Sequence, residues 1–188
     1  MTGRELPDQD PHAAVRAGRM LEEQGQVAGA RAAYLRAIES GHPDAAPHAA
    51  CNLGQLLEEN GDAEGARAAY QWAINCRHAE ASPWAAGNLG WLLAELGDVA
   101  GARAAYQQAI NSGHSEAAPR AAAGLAVLLQ GLGDIEGALA AYQHAIESGD
   151  TDIAARASGG LGVLLSGRGD LVGARDAYQL AIGSDDPG

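Results

Sequence analysis

The chain has 188 residues, is rich in Ala and Gly, and contains no Phe and no Lys; its 12 basic residues face 24 acidic ones, for a net charge of −12. This charge argues against a general nucleic-acid binder and a polybasic membrane anchor, so we expect neither as a partner. The first ten residues contain no apolar run of signal-peptide length, and no later stretch is long enough for a membrane span, which predicts a cytoplasmic protein. The composition is typical of a GC-rich bacterial genome. Cys51 and Cys76 are too few for a disulfide framework and are predicted to be free thiols.

A 36-residue repeat organises the sequence. The segment Gly-Ala-Arg-Ala-Ala-Tyr or a close variant occurs five times, at residues 29–34, 65–70, 101–106, 137–142 and 173–178. Residues 1–10 are a polar leader, and residues 11–188 align as one domain of five repeats without insertion or deletion. These repeats are 11–46, 47–82, 83–118, 119–154 and 155–188. A fixed period of this size predicts an all-α solenoid of stacked helix pairs.

Each repeat predicts two antiparallel helices, hence ten in the chain. Positions are counted from the first residue of each repeat. The first helix opens at the Pro of position 1, with the preceding residue as its cap, namely Asp10, Ala46, Ser82 or Ala118. It ends at a Gly of position 15, where the left-handed conformation is expected. An Asp at position 16, replaced by Gln26 in the first repeat, is expected to cap the second helix.

Helical spacing separates two faces of each first helix. Positions 4, 7, 8 and 11 fall together and predict the core; in the second repeat they are Ala50, Leu53, Gly54 and Leu57. Positions 2, 5, 6, 9, 12 and 13 fall roughly opposite, and there the repeats differ most.

This pattern resembles the tetratricopeptide repeat family. The third repeat carries the family's characteristic residues as Leu89, Gly90, Leu93, Ala102, Tyr106 and Ala109. The resemblance implies a right-handed superhelix whose concave surface, lined by the first helices, binds partners, and it implies no catalytic chemistry. Two departures are a small residue at position 4 and a period of 36 instead of 34, with His in place of the usual Pro at position 32.

The candidate ligand site lies on the variable face. Trp84 and Trp91 are seven residues apart and so share one face of one helix. Beside them, Gly positions predict an aromatic-walled hollow, and Arg120 and Arg156 place positive charge at its edge. Asn52 and Asn88 can bond a peptide backbone. The predicted ligand-binding residues are His48, Asn52, Gln55, Trp84, Gly87, Asn88, Trp91, Arg120, Gly124, Val127, Arg156 and Gly160.

The carboxylate clamp of some family members is present only in part. Asn88 is followed by Arg120 at position 2 of the next repeat, as in those members, but Gly124 stands at position 6 where they carry a basic residue. We therefore do not predict a chaperone adaptor. The acidic residues of positions 12 and 13 are interpreted as a solvated rim or as a site for a basic partner.

The histidines do not predict a metal site. His42, His78 and His114 share one loop position in successive repeats, and His12 and His48 share another. Equivalent positions of neighbouring helices lie roughly 8 to 10 Å apart, whereas zinc ligands lie within about 2.1 Å of the ion. No catalytic triad, phosphate loop or paired CxxC is present, so no cofactor and no enzymatic activity are expected.

Three functions remain open at this stage. The first is a binding module that holds an extended peptide or a protein terminus in its groove. The second is a small-molecule binder for an aromatic or acidic metabolite. The third is an assembly scaffold acting through its end faces. It includes a homodimer through the uncovered side of the fifth repeat, where the candidates for contact are Leu161, Leu165, Tyr178 and Leu180.

Overall fold

The computed structural model describes residues 10–183, and within that range it contains ten α-helices and no strand. The helices are α1 (Pro11–Glu23), α2 (Val27–Glu39), α3 (Ala45–Glu59), α4 (Ala63–Asn75), α5 (Ala81–Glu95), α6 (Val99–Asn111), α7 (Ala117–Gly131), α8 (Ile135–Ile146), α9 (Thr151–Gly167) and α10 (Leu171–Gly183). The all-α architecture with two helices per repeat is thereby confirmed. None of these helices is long and apolar enough to cross a membrane.

The chain divides into two compact units, Met1–Leu92 and Leu93–Gly188. In the first unit α1 packs on α2, α2 on α3 and α3 on α4, and α1 also contacts α3. In the second unit the same ladder runs from α6 to α10, and α7 also contacts α9. First helices therefore touch first helices of adjacent repeats, as stacked helix pairs require.

The second helices begin as the sequence predicts. The side chains of Asp62, Asp98, Asp134 and Asp170 each accept a hydrogen bond from the backbone N–H three residues later, at 2.9 to 3.1 Å. Gln26 makes no such side-chain bond. The aspartates satisfy N–H groups that have no partner inside the helix.

The first helices begin earlier than predicted, except α1. Asp10 caps α1 as expected and accepts from the N–H of His12 at 2.9 Å. Ala46, Ser82 and Ala118, however, lie inside their helices, and the Ser82 hydroxyl donates to the carbonyl of Ala73. The repeat Pro is thus the third helical residue, which the helix tolerates because first-turn N–H groups lack internal partners anyway.

Position 32 provides the caps of these helices instead. The Nδ1 atoms of His42, His78 and His114 each accept from the backbone N–H groups two and three residues later, at 3.1 to 3.3 Å. In the fourth repeat the same position is Asp150, which accepts from the N–H of Ile153 at 2.9 Å and caps α9. An acceptor at this position therefore starts the first helix of the next repeat.

The loops require left-handed residues at two positions. The Gly of position 15 has φ between 70° and 81° in all five repeats, as predicted. Position 31 also has positive φ, and it is Gly41, Gly113 and Gly149 in three repeats but Arg77, with φ of 54°, in the second. A residue with a Cβ atom is strained in this region.

The core depends on a close contact between a tyrosine and a glycine. Tyr70 is fully buried, and a Cβ atom added to Gly54 would lie 2.4 Å from its ring. Tyr34 and Gly18 form the same contact in the first repeat. Small residues at position 8 allow the two helices of a repeat to approach closely.

We expect Arg77→Gly to raise the free energy of unfolding by about 0.5–1 kcal/mol, because relief of left-handed strain exceeds the entropy that Gly gains in the unfolded chain. Urea denaturation followed by circular dichroism measures this difference. Gly41→Arg, at the same position of the preceding repeat, should shift stability in the opposite direction. Equal stability of Arg77→Gly and the parent would contradict the strain.

Candidate functional site

An open hollow of about 230 Å³ lies in the first unit, between side chains of α3, α4 and α5. Its lining residues are Gln55, Glu58, Glu59, Tyr70, Asn88 and Trp91. The Trp91 side chain is 52% exposed, so most of its apolar surface faces solvent unless a ligand covers it. The hollow therefore combines an exposed indole, two carboxyl groups and two side-chain amides.

Glu58 has a structural partner as well as a place in the hollow. Its Oε2 accepts a hydrogen bond of 2.6 Å from the hydroxyl of Tyr70. Desolvation by burial, followed by this bond and the charge of Glu58, raises the pKa of Tyr70 above its ordinary value of 10. The Tyr34 hydroxyl donates to Glu22 in the same way, and burial is again the largest cause of its raised pKa.

The structure brings three predicted ligand residues of the first unit into this hollow. Gln55, Asn88 and Trp91 line it, whereas His48, Asn52 and Trp84 do not. His48 and Asn52 precede Gln55 on the same helix at spacings of seven and three residues, and both are half-buried. They therefore continue one stripe of α3 away from the hollow. Gly87 is half-buried on α5.

In the second unit, two predicted glycines serve packing, not an open hollow. A Cβ atom at Gly124 would lie 2.8 Å from the ring of Tyr106, and one at Gly160 would lie 2.6 Å from the ring of Tyr142. The tyrosine of the preceding repeat thus fills the space that the sequence assigned to a ligand. Gly159, by contrast, lies beside open space, because a Cβ atom there meets nothing within 4 Å.

The other predicted residues of the second unit lie at the surface. Arg120, Val127 and Arg156 are exposed on α7 and α9. Val163, one repeat after Val127, is exposed as well. The second unit therefore presents arginines and valines on its first helices, while the hollow of the first unit is acidic.

Glu58 and Glu59 line the hollow but are not among the ligand residues predicted from the sequence, where they belong only to the predicted acidic rim. The signal was present, because positions 12 and 13 follow Gln55 by three and four residues and so fall on the same side of α3. What the sequence did not show is that Trp91 and Asn88 of the next first helix face this side.

The two cysteines are free thiols in the structure, as predicted. Cys51 is buried on α3, and burial raises the pKa of its thiol to about 12, which keeps it protonated and unreactive. Cys76 is exposed, and partial desolvation raises its pKa as well.

The last helix exposes apolar side chains. In α10 the exposed large residues are Leu171, Val172, Tyr178, Leu180 and Ile182. These include Tyr178 and Leu180, for which the sequence predicts a dimer contact, and that contact stays a prediction.

Comparison with known proteins is consistent with this architecture. The family model described as Tetratricopeptide repeat matches four overlapping segments, residues 15–83, 51–122, 87–153 and 123–188. No sequence among curated proteins matches the chain.

Several solved structures share the fold at low sequence identity. BtubC (BKLC) from P. vanneervenii has a TM-score of 0.79 at 17% identity, covering 96% of this chain and 84% of its own. Pseudomonas aeruginosa pilF has a TM-score of 0.73 at 18% identity, covering 96% and 79%. MamA from Desulfovibrio magneticus RS-1 has a TM-score of 0.70 at 15% identity, covering 93% and 94%.

Alkaline pH should unfold the chain through its buried tyrosines. Burial raises the pKa of Tyr34, Tyr70 and Tyr142, so the folded state keeps protons that the unfolded state releases near pH 10. The stability that these groups contribute is present below pH 10 and decreases as pH rises above it. Tyrosinate absorbance and helical circular dichroism should therefore change together for these residues. Ionisation of all tyrosines near pH 10 with the helices intact would contradict this coupling.

Proposed function

We propose that this chain, which belongs to the tetratricopeptide repeat family, binds an extended segment of a protein partner and holds one of its basic side chains in the hollow of the first unit. The tetratricopeptide fold indicates a protein–protein interaction module in general. Members are typically non-enzymatic scaffolds, and we infer the same for this chain. The observation that carries the proposal is that one hollow is lined by the exposed side chain of Trp91 together with two carboxyl groups, of which Glu59 is exposed and Glu58 is half-buried.

The charge of the hollow favours a cation. Glu58 and Glu59 supply negative charge, and no arginine or histidine is among the lining residues. An Arg or Lys head group carries several N–H donors. Placed in the hollow, it could donate hydrogen bonds to both carboxylates. The indole of Trp91 adds a cation–π contact, which is worth about 0.5–2 kcal/mol.

The size of the hollow favours a single side chain over a separate small molecule. Sites that enclose drug-sized ligands have volumes of about 300–1,000 Å³, and this hollow of about 230 Å³ is smaller and open. An open site can receive a side chain whose backbone runs past its mouth. Asn88 and Gln55, both in the lining, can donate to and accept from such a backbone.

A matched peptide set tests the proposal. The probes are fluorescein-labelled 12-residue peptides of Gly, Ser and Ala that differ only in a central Arg, Lys, Gln or Glu. We expect fluorescence anisotropy to show binding of the Arg and Lys peptides, with weaker binding at high salt because the site is solvent-accessible. Equal binding of the Gln or Glu peptide would overturn the assignment of a cation site.

Substitutions in the hollow should reduce the affinity for the Arg peptide by amounts that depend on the contact removed. Trp91→Ala should reduce affinity roughly 5- to 30-fold through the lost cation–π contact and apolar cover. Glu59→Gln should reduce it roughly 2- to 5-fold, as expected for an exposed ion pair. Isothermal titration calorimetry or anisotropy measures each change.

Glu58→Gln is the sharpest variant, since it removes charge and keeps the hydrogen bond. In the second unit Gln130 stands at the same repeat position and accepts from the hydroxyl of Tyr142 at 2.9 Å. Glu58→Gln should therefore fold normally and bind the Arg peptide more weakly.

The control is Trp72→Phe, on α4 and outside the hollow, which should leave affinity unchanged. If free arginine amide binds as tightly as the Arg peptide, the site takes a small molecule and the peptide proposal is wrong.

A further inference from the structure

Histidines from α1, α3 and the loop between α4 and α5 surround the carboxylate of Asp44, which lies in the loop between α2 and α3. Nε2 of His78 lies 3.0 Å from Oδ1 of Asp44, and Nδ1 of His48 lies 3.7 Å from the same oxygen. Nδ1 of His12 lies 3.6 Å from the other oxygen, Oδ2. The rings of His48 and His78 meet edge to face, with centroids 4.8 Å apart. The cluster lies wholly in the first unit.

These contacts join histidines at different repeat positions, whereas the pairs considered from the sequence are histidines at the same repeat position. His48 is at position 2 and His78 at position 32 of the same repeat, so the two residues are 30 apart in sequence. Helix spacing keeps histidines at equivalent positions of successive repeats too far apart to share an ion. Within one repeat, the start of the first helix meets the loop after the second helix, and unlike positions come into contact.

We propose that Asp44, His48 and His78 form a binding site for a divalent transition-metal ion of the zinc type. One ligand atom from each residue lies within 4.8 Å of the others, and no other such group of three occurs among residues 10–183. Ligands of one tetrahedral zinc ion are about 3.4 Å apart, given metal–ligand distances of about 2.0–2.2 Å. The three ligand atoms must therefore move closer together to hold one ion.

The ligand set selects the class of ion. Two imidazoles and one carboxylate suit Zn²⁺, Co²⁺, Ni²⁺ or Cu²⁺, whereas Mg²⁺ and Ca²⁺ require mostly oxygen ligands. Asp44 is 52% exposed and His48 is 40% exposed, so water can complete the coordination. The site is therefore an open one that binds and releases its ion readily.

Hydrogen bonds already orient two of the ligands. Nδ1 of His48 lies 2.8 Å from the backbone carbonyl of Asp44 and, as its donor, leaves the Nε2 lone pair open. This is a common way of holding a metal-ligating histidine. His78 differs, because its Nδ1 accepts from the N–H groups of Glu80 and Ala81, which places the ring proton on Nε2.

Metal binding at His78 would change which ring nitrogen carries the proton. An ion on Nε2 displaces it; the proton moves to Nδ1, and the long bonds of 3.3 and 3.2 Å from Glu80 and Ala81 are given up. The site thus exchanges a weak helix cap for a metal–ligand bond. Bound metal would tie the loop before α3 to the loop before α5 through Asp44 and His78.

Zinc titration of the full chain, purified with any polyhistidine tag removed, tests this site. Competition with a chromogenic chelator should show one Zn²⁺ bound per chain, with Mg²⁺ in excess unable to displace it. Asp44→Asn, His48→Gln and His78→Asn should each weaken binding about tenfold or more. The side-chain oxygen introduced by His78→Asn can still cap α5, so that variant separates metal binding from folding.

Two matched variants serve as controls. His42→Asn changes the equivalent cap of the preceding repeat, and His144→Gln changes an exposed histidine of α8. Both should bind Zn²⁺ like the parent. If the His48 and His78 variants also bind like the parent, or if the parent binds no Zn²⁺, the proposal is overturned.

A thermal measurement gives an independent readout. Zn²⁺ should raise the melting temperature of the parent and of His42→Asn, because the ion binds only the folded cluster. It should not raise that of His48→Gln or His78→Asn. An equal increase in all four proteins would show binding elsewhere and contradict the site.

Discussion

The close contact between the tyrosine of position 24 and the small residue of position 8, which is Gly in every repeat except the fourth (Ala126), is the constraint on which this fold depends. The ring of Tyr70 lies where a Cβ atom of Gly54 would be, so the two helices of the repeat approach closely. That approach buries the tyrosine completely and leaves its hydroxyl with one place to donate. The side chain of position 12 accepts there, and it also forms a wall of the hollow. Scaffold and candidate site therefore share one hydrogen bond.

The loops between repeats depend on a second constraint, which is the need for an acceptor before each first helix. The imidazoles of His42, His78 and His114 and the carboxylate of Asp150 all meet it. Because an imidazole has two nitrogens, using Nδ1 for the backbone leaves Nε2 for other contacts. At His78 that second nitrogen contacts Asp44. The histidine cluster therefore includes a residue that also caps the next helix.

The sequence predicts the scaffold well because the scaffold is periodic. Ten helices, the Asp caps of the second helices and the left-handed glycines all follow from a pattern present several times in register. The starts of the first helices were predicted too late, since Pro is permitted anywhere in the first turn and so does not mark the first residue. The acceptor at position 32 was visible as a residue type, but its bonds to the next helix were not.

The candidate site was harder to predict because it depends on contacts between repeats. The face of α3 that carries Gln55 could be read from helical spacing, and so could that of Trp91 on α5. The sequence does not show whether Gly124 and Gly160 leave open space, because the tyrosine rings that fill that space come from the preceding repeat. The contact between His48 and His78 could not be predicted for a different reason, because it joins two unlike positions of one repeat that lie 30 residues apart in the sequence.

The acceptor of the tyrosine hydroxyl has a consequence for how such proteins diverge. Glu58 and Gln130 make the same bond at the same repeat position, yet one is charged and the other is neutral. The scaffold thus fixes the geometry of this rim and leaves its charge unspecified. A single amino-acid replacement can change which partners a repeat attracts without a compensating change in the core, so affinity and foldability can evolve separately at this position.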